Sequence, residues 1–179
     1  YKHHKYVFMT DSFTIRAALR DDLEHLRAIS TTADTNKGDG DYLQRSLDEQ
    51  DKGHRQYFIL RHGQEYVGSV ILNKAPRYKY FRHENIPEIQ DLLVMPDHRR
   101  RGYGYALVAH CEDTARQAGY NLMGLGVGLT AGFGAAQRLY VKMGYQPDGF
   151  GLVYDRRSVA AGSYVQADDH LNLMMIKEL

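Results

Sequence analysis

The amino-acid sequence predicts an α/β fold built on a mixed sheet with helices on both faces, and three observations carry that expectation. Short apolar or alternating runs of strand period trade places with longer stretches whose apolar residues recur at helical spacing. Glycine, proline and acidic turn residues stand where one pattern gives way to the next. The 179 residues are 43% hydrophobic and 25% charged, with no internal repeat and no break in composition, which suits one well-buried core and is short for two. Residues 13–179 are therefore expected to form a single domain, preceded by an extension over residues 1–12.

Taken in order, "FTIRAAL" (Phe13 to Leu19) reads as a first strand. "DDLEHLRAIS", from Asp21, sets Leu23, Leu26 and Ile29 at helical spacing and reads as a helix capped by aspartate. "TTADTNKGDGD" is polar and without period, a surface loop, and "DYLQRSLDEQ" reads as a second helix. "QYFIL" and "EYVGSVIL" flank "RHGQ" as an antiparallel hairpin. After the proline-bounded "APRYKYFRHENIP", the apolar run "EIQDLLVM", ended by Pro96, reads as a central strand. From Gly102, Leu107, Cys111, Thr114 and Ala118 follow helical spacing until Gly119 stops the helix. "NLMGLGV" is then a strand, "GAAQRLYVKM" a helix ending at Gly144, and "GLVYD" and "LNLMMIKEL" two closing strands.

Composition removes several function classes. Lys plus Arg total 23 against 22 for Asp plus Glu, a net charge of +1, so no global basic field draws in nucleic acid or an anionic membrane. No apolar run approaches the roughly 20 residues needed to cross a bilayer. The start, "YKHHKYVF", lacks the apolar core of a secretory signal, and Met9 is a candidate native start. The lone Cys111 excludes an internal disulfide and fits a reducing compartment, so the cytoplasm is the expected location. The nine histidines never adopt a metal-binding spacing, and no metal is expected.

The stretch "HRRRGYGYA" sets three arginines against a Gly-x-Gly at the turn from the central strand into a helix. A helix's first turn carries unpaired N–H groups and the positive end of its dipole, and glycines let a pyrophosphate approach the backbone. The stretch lacks the Gly-Lys-Ser/Thr of a P-loop, and Leu107 stands where a dinucleotide fingerprint needs a small residue. "GVGLTA" (Gly126 to Ala131) formally matches a dinucleotide pattern, but no second βαβ unit with an acidic strand end follows it.

Arg99-x-x-Gly102-x-Gly104, after "LLVMP", resembles the coenzyme A pyrophosphate loop of the GNAT N-acetyltransferase superfamily, and "AAQRLYVKMGY" resembles that superfamily's second signature. The resemblance implies a GNAT-like, mostly antiparallel central sheet and an acetyl-CoA-dependent transfer of an acetyl group directly to a primary amine. It implies cofactor contacts from Arg99, Arg100, Arg101, Gly102, Tyr103 and Gly104, from strand amides at Leu93 and Val94, and from Ala136 and Tyr140 on the later helix. Phe133 stands where the superfamily often has asparagine, which puts one such contact in doubt. Closing strands of this superfamily often sit at dimer contacts, which makes a homodimer an open expectation.

Acetylating an amine requires a neutral nucleophile, and an alkyl ammonium with a pKa of about 10.4 is only about one part in a thousand neutral near physiological pH. Glu88 and Asp91 are the candidate bases, on the strand leading to the loop. In a regular strand positions 88 and 91 face opposite sides, so only one would be aimed at the thioester. Glu88 is favoured, eleven residues before Arg99, a spacing at which some members of the superfamily place their base; Asp91 serves if a bulge shifts the pleat. Tyr140 matches the superfamily's tyrosine that protonates the departing thiolate. Cys111 falls on the apolar stripe of its helix and reads as core. "RYKYFRHEN" reads as a lid over the acceptor site rather than an RNA-binding stretch. Asp39 and Asp41 from one loop, with Asp168 and Asp169 from another, are candidate acceptor-binding residues that would favour a cationic amine. The rival reading is a non-catalytic acyl-CoA-binding or regulatory module of the same fold.

Overall fold

A computed structural model of the protein describes residues 12–32 and 40–179. In chain order the elements are β1 (Phe13–Ala17), α1 (Leu23–Thr32), α2 (Gly40–Asp51), β2 (Arg55–His62), β3 (Glu65–Asn73), α3 (Lys79–His83) and β4 (Glu88–Val94). There follow α4 (Tyr103–Gln117), β5 (Leu122–Gly128), α5 (Gly134–Lys142), β6 (Gln146–Tyr154), β7 (Arg157–Ser158) and β8 (Leu171–Glu178). All the strands join one sheet, ordered β1-β2-β3-β4-β5-β8-β6-β7. Every neighbouring pair is antiparallel except β4 and β5. The exception has a local cause. The turn at Gly63 and Gln64 can only fold β3 back against β2, whereas α4 carries the chain across to restart beside β4 in the same direction.

The middle of β2 and nearly all of β3 are buried without interruption because both faces of the sheet are covered there. Phe58, Leu60, Val70 and Leu72 pack under α4 and α5 with Leu107, Val108 and Cys111. Their strand neighbours Tyr57, Ile59 and Ile71 point the other way, against Leu26 and Ile29 of α1 and Leu43 and Leu47 of α2. A smaller cluster lies under α3, where Tyr78 and Phe81 meet Val153 and Met174. No helix among the described residues is long and apolar enough to cross a membrane.

Four details depart from the sequence pattern. The first helix is preceded by a tight helical turn over Arg20–Asp22, and the aspartate that organises this start is Asp22. Its carboxylate accepts the Leu19 N–H at 2.7 Å and pairs with both terminal nitrogens of Arg16, at 2.6 and 2.8 Å. The segment read as a lid contains the short helix α3, whose Phe81 is fully buried. Strand β6 begins at Gln146, well before "GLVYD", because it pairs with β8 on both sides of an irregular stretch between Pro147 and Leu152. The two-residue β7 was not foreseen; it closes on β6 through a loop formed by Asp155 and Arg156, both at positive φ.

Candidate active site

The sheet opens where β4 and β5 part. The two strands are paired only at Glu88 with Gly124 and Ile89 with Leu125, yet β4 continues to Val94 and β5 to Gly128. A wedge is left at the C-terminal ends of two parallel strands, the end at which α/β sheets take ligands. On its other edge β4 stays paired with β3, Leu93 opposite Ser69 and Val94 opposite Gly68. Leu93 and Val94 thus have a strand edge facing the wedge, the condition for pairing with an extended arm.

The arginine and glycine loop sits at the mouth of this wedge. Arg99, Arg100, Arg101 and Gly102 are exposed. Arg100 lies at φ 65 and Gly102 at φ 87, in the left-handed region. A Cβ added at Gly102 would meet nothing within 4 Å, so glycine is required there by the backbone turn and not by lack of space. Gly104 lies in the first turn of α4, where a Cβ would touch Leu139 of α5 at 3.4 Å. Arg99 is held back on the strand, its Nε donating to the Val94 carbonyl at 3.0 Å. Tyr103 turns its ring inward, hydrogen-bonded through its hydroxyl to His62 and edge-on to Phe13 at 5.6 Å. Only its main chain is therefore presented to the loop.

The two candidate carboxylates share a face, contrary to the expectation for a regular strand. Asp91 has φ 50 and interrupts the β3–β4 register between Ser69 and Ile71, a bulge that resets the pleat. Glu88, opposite Asn73, and Gln90, opposite Ile71, face the α1–α2 side. Asp91 joins them there, accepting a hydrogen bond from Tyr42 of α2. Glu88 is 0% exposed. Its Oε2 accepts from Gln90 at 2.9 Å, while Oε1 stands 2.5 Å from Nη1 of Arg156 and accepts no well-directed hydrogen bond. Burial raises the Glu88 carboxyl above the ordinary glutamate range; Arg156 and Gln90 oppose that rise and Asp91 adds to it. Sequence reasoning missed Arg156, because only the fold brings the β6–β7 turn to β4.

On the other face of the sheet, α5 packs Tyr140 into the cluster that holds Leu125 and Val127 of β5. Tyr140 is 6% exposed, its ring lies 5.9 Å from that of Tyr145, and its hydroxyl makes no hydrogen bond among the described residues. Burial pushes its phenol up, with smaller contributions from Cys111 and Asp91, so the group keeps its proton throughout the neutral range. Ala136, one turn earlier on α5, is half-buried. Phe133 covers Gly128 so closely that a Cβ there would strike its ring, and Gln137 donates to the Gly128 carbonyl at 2.8 Å. Cys111 is fully buried in the core.

Of the four acceptor-side aspartates, Asp168 and Asp169 lie among the described residues with their side chains. Asp168 is engaged in its own turn, accepting from Tyr154 Oη and from the His170 N–H, each at 2.9 Å. Asp169 is exposed. Asp39 lies outside the described residues, and Asp41 falls in α2 with its side chain outside them as well. The glycines of "GVGLTA" have a packing cause: Gly126 leaves room for Arg156, as Gly128 does for Phe133.

Residues 20–145 match the sequence model of the acetyltransferase (GNAT) family. Over 92 residues the chain is 37% identical to the aminoalkylphosphonate N-acetyltransferase of Salmonella typhimurium, a stretch covering 51% of this chain. It covers 56% of that protein, so the chain spans little more than half the length of this curated relative. Among solved structures, the ribosomal-protein-alanine N-acetyltransferase of Brucella melitensis superimposes with a TM-score of 0.69 at 21% identity, over 93% of this chain and 99% of that one. The PaiA N-acetyltransferase of Thermoplasma acidophilum, solved in complex with coenzyme A, gives a TM-score of 0.68 at 16% identity over 94% and 99%. At such identities the likeness speaks to the fold, which has the same arrangement. With most of its length matched by the family's model, the chain belongs to the acetyltransferase (GNAT) family.

Proposed function

We propose that the protein moves an acetyl group from acetyl-CoA directly to a primary amine held at the wedge between β4 and β5. One observation carries the reading: the strands part beside an arginine and glycine loop at a helix start, with Glu88 on one face of the sheet and Tyr140 on the other. Acetyl-CoA supplies the thioester; its pyrophosphate suits the exposed Arg100 and Arg101 and the first-turn amides of α4, and its arm suits the edge of β4 at Leu93 and Val94. Of the ammonium's three protons, one stays on the amide. Glu88 takes the second, directly or through water, and passes it to solvent; Asp91, on the same face, is the alternative base. Tyr140 gives its proton to the departing sulfur and recovers one from the acetylated nitrogen.

The acceptors to test first are primary amines that also carry an anionic group, because the curated relative's name denotes that class, together with spermidine-like cations. We expect Tyr140→Phe to lower turnover by about 10²–10⁴-fold with acetyl-CoA affinity little changed. Equal turnover in mutant and parent removes the acid role. Acetyl-CoA binding without acetylation of any amine in the panel would favour the non-catalytic module.

A further inference from the structure

Arg156 lies beyond the residues matched by the family model, yet three features of the fold serve its side chain. It stands at φ 65 as the second residue of the β6–β7 loop, after Asp155 at φ 46. Two-residue hairpin loops of this kind favour Asp-Gly, so Asp155 suits its place and an arginine stands where glycine is preferred. An arginine held in the left-handed region points to a role for the side chain and not for the turn. From the loop it runs over β5, where Gly126 leaves the passage open; a Cβ there would lie 2.7 Å from Nη1. The guanidinium ends on Glu88, and among the described residues no other cation pairs with that carboxylate. The charged groups facing Glu88 are Arg156 from the turn and Asp91 from its own strand. Gln90 and Asn73 beside it are neutral, and β5 opposite offers Gly124 and Gly126.

We propose that Arg156 is a positioning residue for acetyl transfer, its guanidinium keeping the buried Glu88 carboxylate ionised and therefore able to take the ammonium proton at neutral pH. A carboxyl group sealed from water prefers its neutral form unless a cation is at hand. Removing one partner of a buried pair leaves the other uncompensated. In the step itself the N–H bond of the ammonium breaks, its electron pair stays on nitrogen, and the proton becomes that of the Glu88 carboxylic acid. Arg156 keeps all its protons throughout. The inference rests on Glu88 being the base, as proposed above, but its first test does not.

That test is a carbon-13 titration of the full-length protein labelled at the glutamate carboxyl carbons, with Glu88→Gln assigning the signal. We expect Glu88 to be ionised at pH 7 in the parent, and its midpoint to rise by about one pH unit or more in Arg156→Gln and by less in Arg156→Lys. Arg156→Gly guards against misfolding, since glycine suits the left-handed position, and should show the same rise. An unmoved midpoint overturns the proposal whatever the enzyme acetylates. The second test is turnover of aminomethylphosphonate and spermidine against pH. The acid limb of Arg156→Gln should move up with the midpoint, with turnover at pH 7 lower in proportion to the carboxylate lost, about tenfold where the midpoint reaches about 8, and recovering in alkali. A midpoint that moves while the acid limb stays overturns the positioning role and removes Glu88 as base, leaving acetyl transfer itself intact.

Discussion

Gly102 offers the sharpest separation of fold from cofactor binding. Its φ of 87 places it in the left-handed region, and a Cβ added there would meet no atom within 4 Å. Gly102→Ala therefore brings conformational strain without a clash, about 1–2 kcal/mol for an L-residue held in that region. The loop can shed this strain by turning to negative φ, which re-aims the first amides of α4 and the arginines beside it. Binding acetyl-CoA must then restore the strained form, so the affinity should fall by about 5–30-fold. Gly53 is the control: it too has a left-handed φ, 80, and an open surrounding, but it lies in the turn between α2 and β2. Thermal unfolding of the free proteins should show Gly102→Ala destabilised by no more than Gly53→Ala, at roughly 2–4 °C per kcal/mol for a chain of this size. Calorimetric titration with acetyl-CoA should show a loss in Gly102→Ala only. Equal affinities in the two folded variants would refute the assignment of this loop to the pyrophosphate.

Cys111, buried and with its thiol pushed well up, should not react with Ellman's reagent in the folded protein and should yield one thiol per chain in urea. Reaction in the folded state would mean that this core opens. Asp22→Asn should lower stability by about 1–3 kcal/mol at pH 7, since Arg16 and the Leu19 N–H hold the carboxyl below its usual range. A depressed folded-state value stabilises above the unfolded pKa of about 3.9 and is lost as pH falls from there through the lower folded-state value, so the gap between urea curves of mutant and parent should narrow steadily once pH drops below about 3.9. Asp169→Asn should raise the Michaelis constant for a cationic acceptor at low salt only, because screening sets in at about 8 Å at physiological ionic strength. Identical constants at low salt dispose of an acidic rim.

Much of the fold could be read from the chain because its signals are local. The β2–β3 hairpin follows from two apolar runs and a Gly-Gln turn, and α4 from an apolar stripe closed by Gly119. The misses are elements without a local period. Helix α3 is only five residues long and is fixed by Phe81 inserting against Gly124, a contact the chain makes across its middle third. Strand β7 has two residues and exists because β6 stands beside it. That Asp22 is the aspartate engaged at the start of the first helix follows from Arg16 on β1, and which of two adjacent aspartates faces it depends on how the chain leaves that strand.

The candidate site divides along the same line. The proposed anion loop is a short consecutive stretch, so the turn at Arg99 to Gly104 could be read locally, apart from the inward turn of Tyr103. The proposed proton-handling side depends on where distant segments meet. Asp91 shares a face with Glu88 only because a bulge forms between β3 and β4, and the sequence signals no more than two acids three apart. Glu88 is read as the favoured base from its spacing to Arg99, but its full burial follows only once β5 and the β6–β7 turn are brought beside it. Arg156, sixty-eight residues further along, looks like one basic residue in a polar turn. What marks it is the coincidence of a left-handed arginine, a glycine on the strand it crosses and a buried acid at the end of its reach, and that coincidence exists only in three dimensions. A search for such devices in related sequences would therefore look for a small residue at position 126 paired with a long cation at position 156, since either alone has an ordinary structural cause.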